Sequence, residues 1–208
     1  MALAWTSFAR ISEWPSGVGE DMKRVGVLAL QGDYAAHQVA LEHAGAEAFE
    51  ARTLADVDSA EALVLPGGES TVIGGLLVRF GLLDRLIERI RGGLPVFGTC
   101  AGLILLAARV DGREQPGIRL LDASVLRNAY GRQIASFRAT VKTSLPGVES
   151  LEAVFIRAPR ITSWGSDVSV LAEHKGDPIL VRQGSMVGCT FHPELVPGAA
   201  IHRWFLSL

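Results

Sequence analysis

The fold is decided by the stretch Leu94-Pro95-Val96-Phe97-Gly98-Thr99-Cys100-Ala101-Gly102-Leu103-Ile104-Leu105-Leu106-Ala107. It contains a short apolar strand pattern, the sequence Gly-x-Cys-x-Gly and an apolar helix pattern. This order predicts a nucleophile elbow, a strained corner between a strand and a helix that presents a reactive side chain. The positions flanking such a corner must lack bulk where strand and helix cross, and Gly98 and Gly102 meet that demand.

Cys100 is the candidate nucleophile of this elbow. We expect it at the first turn of the helix, where unpaired backbone N–H groups and the positive helix end favour thiolate over thiol. The N–H of Ala101 would then point to where an oxyanion forms. The alternative, a buried small apolar side chain, is common for free cysteines and stays open from this stretch alone. For Cys189, which lies in a β-rich run without the glycine pair, this structural alternative is favoured.

The composition predicts one globular domain. The chain has 208 residues, 49% of them hydrophobic, and a formal net charge of -2, so it can bury a full core. Nearly balanced charges without a basic run make nucleic acid an unexpected partner. No apolar run approaches the roughly 18 residues that a membrane span needs. Two cysteines without metal-type spacing argue against a disulfide framework or a zinc site and favour the cytoplasm.

The first 21 residues differ from the rest of the chain. Arg10, Glu13 and Pro15 interrupt any apolar run there, so we expect a disordered extension over 1–21 and a single domain over 22–208. Met22 shortly precedes the first convincing strand, and a natural start at Met22 is a hypothesis that this pattern suggests.

The order of elements predicts an α/β fold with a doubly wound, mostly parallel sheet. Continuous apolar runs at 25–30 and 62–65 are typical of strands buried on both faces, and a helix pattern at 35–44 follows the first of them. Helix patterns at 72–80 and 82–90 follow the later run. After residue 120 strand patterns recur without helices, which predicts an added antiparallel section ending in a hairpin.

A glycine-rich loop, Pro66-Gly67-Gly68-Glu69-Ser70-Thr71, follows the 62–65 strand. Its glycines let the backbone approach a ligand and present N–H groups to an anion, while Glu69 and Ser70 offer polar contacts. An ordinary tight turn explains this loop equally well when it is considered alone. Ligands of open α/β sheets bind beyond the carboxyl ends of the strands, where both this loop and Cys100 would lie. Their convergence favours a site.

Phe191-His192-Pro193-Glu194 ends the hairpin. In extended backbone, residues two apart project to one face, so Glu194 can reach one nitrogen of His192 while the other faces away. Together with Cys100 these residues complete a Cys-His-Glu set, in which histidine keeps the thiolate charged and glutamate fixes the histidine tautomer. The remaining histidines are expected to be structural: His37, His43, His174 and His202.

These motifs resemble the class I glutamine amidotransferases, which combine the elbow with a late His-Pro-Glu. The resemblance is closer still to the glutaminase subunits of pyridoxal 5′-phosphate synthase and extends over about residues 25–205. It rests on six segments: Leu28-Ala29-Leu30-Gln31-Gly32-Asp33, Leu65-Pro66-Gly67-Gly68-Glu69-Ser70-Thr71, Gly98-Thr99-Cys100-Ala101-Gly102, Gly131-Arg132-Gln133, Phe155-Ile156-Arg157-Ala158-Pro159 and Phe191-His192-Pro193-Glu194-Leu195.

The resemblance implies a flavodoxin-like amidotransferase fold that hydrolyses L-glutamine to L-glutamate and ammonia without a cofactor or metal. The ammonia would pass to a synthase subunit that builds pyridoxal 5′-phosphate. Cys100 would be the nucleophile, His192 the base and acid, and Glu194 its orienter. Glutamine would be held by Gly68, Glu69, Ser70, Arg127, Ile156 and Arg157, and the oxyanion by the N–H groups of Gly68 and Ala101. An arginine suits a substrate carboxylate because its planar fork can bond both oxygens.

One departure and several alternatives stay open. Ala135 stands where relatives often carry an aspartate, which leaves a contact of that loop, for instance to a partner, in question. Another synthase partner is possible, because a triad does not choose the ammonia acceptor. A cysteine hydrolase or chaperone-like protein on the same scaffold would not need His-Pro-Glu. A non-catalytic flavodoxin-like module with Gly67-Gly68 around a phosphate would keep its function without Cys100.

Overall fold

Residues 22–112, 114–127 and 136–208 are described by the computed structural model, and they form twelve strands and six α-helices. The expected extension (1–21) and Ala135 lie outside these residues. The strands are β1 Arg24–Leu28, β2 Glu47–Ala51, β3 Ala62–Leu65, β4 Val96–Thr99, β5 Ala107–Asp111, β6 Leu121–Leu126, β7 Ser136–Leu145, β8 Val148–Ile156, β9 Arg160–Trp164, β10 Ser169–His174, β11 Asp177–Gln183 and β12 Met186–Cys189. The helices are α1 Tyr34–Ala44, α2 Leu54–Ser59, α3 Ser70–Arg79, α4 Leu83–Arg91, α5 Ala101–Leu106 and α6 Ala200–Leu206.

Nine strands form one mixed sheet in the order β2-β1-β3-β4-β12-β11-β10-β7-β8, and β5, β6 and β9 form a second, small sheet. From β2 to β12 neighbouring strands are parallel, and from β12 to β8 they are antiparallel. The predicted α/β class with an antiparallel section is confirmed. The antiparallel strands continue the parallel sheet, because β12 of the predicted hairpin pairs in parallel with β4.

The sequence patterns missed the shortest elements. Helices α2 and α6 span only six and seven residues, too few for a clear apolar period. Strands β5 and β9 span five residues each and alternate buried with exposed positions only briefly. Strand β8 begins at Val148, six residues before its apolar pattern starts, because its first half is largely exposed and carries polar residues. None of the helices in the described part of the chain has the length and apolar character that a membrane span requires.

Apolar clusters cover both faces of the large sheet, and every residue of β3 and β4 is buried. The crossing of β4 and α5 leaves no room for side chains at the two elbow glycines. A Cβ placed on Gly98 would lie 2.7 Å from the carbonyl oxygen of Gly102, and one on Gly102 would lie 2.0 Å from the carbonyl oxygen of Leu65. The backbones of β3, β4 and α5 therefore touch directly, as the elbow prediction requires.

Replacing Gly102 by alanine should strongly destabilise the fold. The added methyl group overlaps a backbone carbonyl that cannot move without shifting β3, so we expect the free energy of unfolding to fall by about 3 kcal/mol. Chemical denaturation followed by circular dichroism measures this change.

The matched control is Gly75→Ala in the exposed face of α3, where a Cβ meets nothing within 4 Å. This substitution should raise the free energy of unfolding by roughly 0.5–1 kcal/mol, because alanine loses less backbone entropy in a helix. Equal stability of the two variants would contradict the packing described for the elbow.

Candidate active site

Cys100 lies at the corner between β4 and α5, in a backbone conformation that residues other than glycine rarely adopt. Its φ is 48° and its ψ is -99°, and it caps the N-terminus of α5. Two backbone hydrogen bonds hold it there: its N–H donates to the carbonyl of Cys189 (2.9 Å), and its carbonyl accepts from the N–H of Ile104 (3.2 Å). Only 8% of the residue is exposed. This strained corner is the geometry of a nucleophile elbow.

Cys189 is packed in the core and has no access to the site. It is fully buried, and its Sγ donates to the carbonyl of Phe191 at 3.2 Å. Burial raises the pKa of the Cys189 thiol well above its ordinary value, and the nearby Glu194 adds to this effect. A neutral buried thiol is a poor nucleophile, so the structural interpretation of Cys189 agrees with its surroundings. Both cysteines are free.

His192 and Glu194 contact each other as expected, although the backbone between them differs from the expectation. Nδ1 of His192 and Oε1 of Glu194 are 2.7 Å apart. The prediction of extended backbone was wrong: Pro193–Leu195 form a 3₁₀ turn with proline at its start, a position that suits its fixed φ. The turn still brings the two side chains together. The His192 N–H donates to the carbonyl of Val154 (2.8 Å), which ties the turn to β8.

The surroundings of His192 favour the charged imidazolium. Burial alone lowers its pKa, but hydrogen bonds and Coulombic attraction to Cys100 and Glu194 outweigh burial and raise the pKa to about 10. Nδ1 bonds Glu194, so Nε2 is the ring nitrogen that is available to Cys100. The arrangement thus holds an imidazolium between Glu194 and Cys100, where it can release a proton to a leaving group.

A cavity of about 130 Å³ opens above this pair. All six residues predicted to hold glutamine line it, together with Cys100, His192 and two residues that the sequence did not suggest, Asp33 and Ile104. The full lining is Asp33, Gly68, Glu69, Ser70, Cys100, Ile104, Arg127, Ile156, Arg157 and His192. Ala101, the other predicted oxyanion donor, is buried as the first residue of α5, where a backbone N–H has no partner within the helix.

One wall of the cavity is a polar network around Arg127. Its two terminal nitrogens donate to Oε1 of Glu69 (2.8 Å) and to Oε1 of Gln115 (2.9 Å). The same Gln115 oxygen accepts from the hydroxyl of Ser70 (3.1 Å). Arg127 is therefore fixed in place with N–H donors to spare. Gln115 belongs to no motif, and no sequence signal could have identified it.

The glycine-rich loop is held between two neighbouring loops. The carbonyl of Gly67 accepts from the N–H of Asp33 (3.2 Å), and the N–H of Glu69 donates to Oε1 of Gln31 (2.8 Å). On the other side, a Cβ placed on Gly67 would lie only 2.5 Å from Cε1 of His192. A glycine is required here because the imidazole packs against the loop backbone.

Asp33, His192 and Glu194 place possible metal-ligand atoms within 4.8 Å of one another. The residues do not fit a metal centre. Nδ1 of His192 already bonds Glu194 at 2.7 Å, and a histidine whose pKa is about 10 keeps its proton at neutral pH, whereas a metal needs the neutral ring. Asp33 is exposed at the mouth of the cavity.

Two histidines expected to be structural lie directly behind Glu194. His37 on α1 and His202 on α6 are both fully buried, and Nε2 of His37 is 3.3 Å from Oε2 of Glu194. His37 lies in the predicted first helix and His202 in α6, which the sequence patterns missed, so only the three-dimensional structure brings them to the site.

Titration of His192 tests the charge assignment. In the full chain labelled with 15N-histidine, NMR should show the ring losing its proton with a midpoint near pH 10. In Glu194→Gln the midpoint should fall, because a neutral amide removes the negative charge that favours imidazolium while burial of the ring remains. A midpoint near 6.5 in the unaltered chain would contradict the assignment.

Together these features define a class of protein: an α/β fold with a cysteine at a nucleophile elbow, a buried His-Glu pair beside it, and a small polar cavity above. Residues 27–208 match the model of the SNO glutamine amidotransferase family. The chain belongs to that family, and it is a class I glutamine amidotransferase, an enzyme that acts on the amide of glutamine. The family predicted from the motifs is confirmed.

Individual relatives agree with this assignment. The chain is 49% identical over 184 residues to the pyridoxal 5′-phosphate synthase subunit PdxT of Pelotomaculum thermopropionicum, covering 88% of this chain and 94% of the relative. It is 44% identical over 185 residues to the subunit of the same name from Thermotoga sp. (strain RQ2), covering 89% and 98%. A crystal structure described as a glutamine amidotransferase matches with a TM-score of 0.84 and 46% identity, over 88% of this chain and 97% of that one.

Proposed function

We propose that this chain is the glutaminase subunit of pyridoxal 5′-phosphate synthase and supplies ammonia to the synthase subunit. The observation that carries the proposal is the convergence of Cys100, His192 and all six predicted glutamine-binding residues on one cavity of about 130 Å³. The names of the relatives at 44% and 49% identity support the choice of synthase. Two free cysteines, one of them the nucleophile, suit the reducing cytoplasm.

The proposed reaction uses Cys100 and His192 in two steps. The thiolate of Cys100 attacks the side-chain amide carbon of glutamine, and the oxyanion is held by the N–H groups of Gly68 and Ala101. Collapse breaks the C–N bond while His192 donates its proton, so ammonia leaves and a thioester remains. Neutral His192 then takes a proton from water, whose oxygen attacks the thioester. Glutamate and the thiolate-imidazolium pair result.

The cavity offers both charges that an α-amino acid needs. Arg127 and Arg157 can meet the α-carboxylate, and the carboxylates of Glu69 and Asp33 can meet the ammonium group. The Arg127-Glu69 ion pair (2.8 Å) is only partly exposed on its arginine side. Its orientation is therefore set before substrate arrives, which lowers the entropic cost of binding.

Substitution of the proposed catalytic residues should separate their roles. Cys100→Ser and His192→Ala should each abolish glutaminase activity, because nucleophile and base act as one unit. Glu194→Ala should keep more activity, since an orienting group does not itself react. Steady-state assays of glutamate release by the complex with the synthase subunit measure the losses.

Cys189→Ala is the matched control and should retain activity, because that thiol is buried and unreactive. A glutamine-like electrophile should label Cys100 alone. Labelling of Cys189, or full activity of Cys100→Ser, would overturn the site and favour a non-catalytic binding module on this scaffold.

We further propose that the synthase subunit switches the glutaminase on through the Gly67-Gly68 peptide. Only an orientation that aims the Gly68 N–H at the oxyanion completes the hole. Rotating this peptide breaks the 3.2 Å hydrogen bond from the N–H of Asp33 to the Gly67 carbonyl, and the two glycines accept the changed backbone angles more readily than other residues would. A partner that binds one orientation better shifts the population towards it.

The isolated chain should therefore turn over glutamine about 10²- to 10³-fold more slowly than its complex with the synthase subunit, the usual loss for one missing oxyanion donor. Measuring kcat before and after adding the synthase subunit tests this. Full activity of the isolated chain would contradict the switch and leave the triad standing. If only the subunit of a different synthase raised the glutaminase activity of this chain, the choice of partner would be overturned.

A further inference from the structure

A buried chain of polar side chains continues the Cys-His-Glu set away from the cavity. Beyond Glu194 lies His37, whose Nε2 is 3.3 Å from Oε2 of Glu194 and 3.0 Å from the hydroxyl oxygen of Thr99. Nδ1 of His37 is in turn 3.0 Å from Nε2 of His202. Oε2 of Glu194 is completely buried and, within the described residues, has no hydrogen-bond partner; Nε2 of His37, 3.3 Å away, is a close polar contact that does not meet hydrogen-bond geometry.

The contacts of this chain select one tautomer of His37. A proton on Nε2 of His37 is donated to the hydroxyl oxygen of Thr99 and lies close to Oε2 of Glu194, and Nδ1 accepts from Nε2–H of His202. The opposite tautomer would turn the lone pair of Nε2 towards a carboxylate oxygen 3.3 Å away. It would also place the proton of His202 on its Nδ1, which is buried without a partner. Both consequences are costly, since buried donors are rarely left unpaired.

Burial keeps both histidines neutral. It lowers the pKa of His37 well below the ordinary value, and the neighbouring His202 and His192 lower it further. Burial also lowers the pKa of His202 to about 4. The groups that face His37 are thus His192, Glu194, His202 and Thr99. A neutral donor stabilises the carboxylate charge, whereas an imidazolium at position 37 would compete with His192 for it.

We propose that His37 is a positioning residue for the reaction, donating from Nε2 to Oε2 of Glu194 and fixed in this tautomer by His202. Glu194 is then held from both oxygens, one by His37 and one by His192. The Glu194 carboxylate thus stays charged and stays oriented towards the His192 imidazolium. This inference rests on the proposed roles of Cys100, His192 and Glu194.

The tautomer can be tested on the unaltered full chain. In 15N-histidine NMR spectra, His37 should remain neutral with its proton on Nε2 from pH 5 to pH 9. His202 should also carry its proton on Nε2. A proton on Nδ1 of His37, or a charged His37 at neutral pH, would overturn the proposal. This measurement needs no substitution and therefore holds even if variants at position 37 fail to fold.

Variants test the effect on the reaction. His37→Gln places an amide N–H near the position of Nε2, whereas His37→Met keeps the bulk and removes the donor. In the complex with the synthase subunit, His37→Met should lower kcat by about 10- to 100-fold with little change in KM, the range for a lost hydrogen bond to a charged group. His37→Gln should recover most of this loss. His43→Gln, on the exposed face of the same helix, should match the unaltered enzyme.

The pH profile of cysteine alkylation separates positioning from simple destabilisation. We expect the rate of Cys100 alkylation by iodoacetamide to fall at acidic pH. In His37→Met this acid limb of the rate-against-pH profile should move to higher pH by about one unit, because a weaker Glu194-His192 pair stabilises the thiolate less. His37→Gln should keep the original limb. An unshifted limb together with unchanged kcat in His37→Met would overturn the proposal. Retained activity in His192→Ala would instead overturn the proposed triad, so the two failures are distinguishable.

Discussion

The contact on which the site depends is between two backbones, where Gly102 at the start of α5 meets the carbonyl of Leu65 at the end of β3. A Cβ there would lie 2.0 Å from that oxygen, so α5 approaches β3 too closely for any residue other than glycine at this position. This approach forces the chain to turn sharply between β4 and α5, and Cys100 takes the positive φ that the turn requires. The position of the Cys100 thiol beside the unpaired N–H groups at the start of α5 thus follows from a packing constraint.

The second element of the site is arranged by charge. His192 is almost fully buried, and burial by itself would make its ring neutral. Hydrogen bonds and Coulombic attraction to Cys100 and Glu194 reverse that outcome and raise the pKa of His192 to about 10. Behind these residues lie His37 and His202. Burial lowers the pKa of both rings, so both stay neutral. Three neighbouring buried histidines thus differ in charge because their surroundings differ.

The sequence predicted those parts of the fold and site that rest on short, local patterns. The elbow glycines and the strand at 62–65 were predicted because steric demand and continuous burial leave direct marks in the residue order. The 3₁₀ turn at Pro193 was not expected, since two residues flanking a proline can meet in extended or turned backbone. Gln115 and His37 were missed for another reason: their partners, Arg127 and Glu194, are 12 and 157 residues away in the chain, and no local pattern records such a contact.

Helices from the two ends of the described chain meet behind His192 and Glu194, so the geometry of the site depends on the complete fold. Helix α1 brings His37, and helix α6, the last element, brings His202 against it. Surface contacts fasten these ends together, with Lys23 donating to the carbonyl of Leu206 (3.0 Å). In the proposed arrangement, Glu194 is held from both sides only when α1 and α6 are docked on the sheet. Because hydrogen bonds in a low-dielectric interior reinforce one another, the charge on the imidazolium is coupled to completion of the fold.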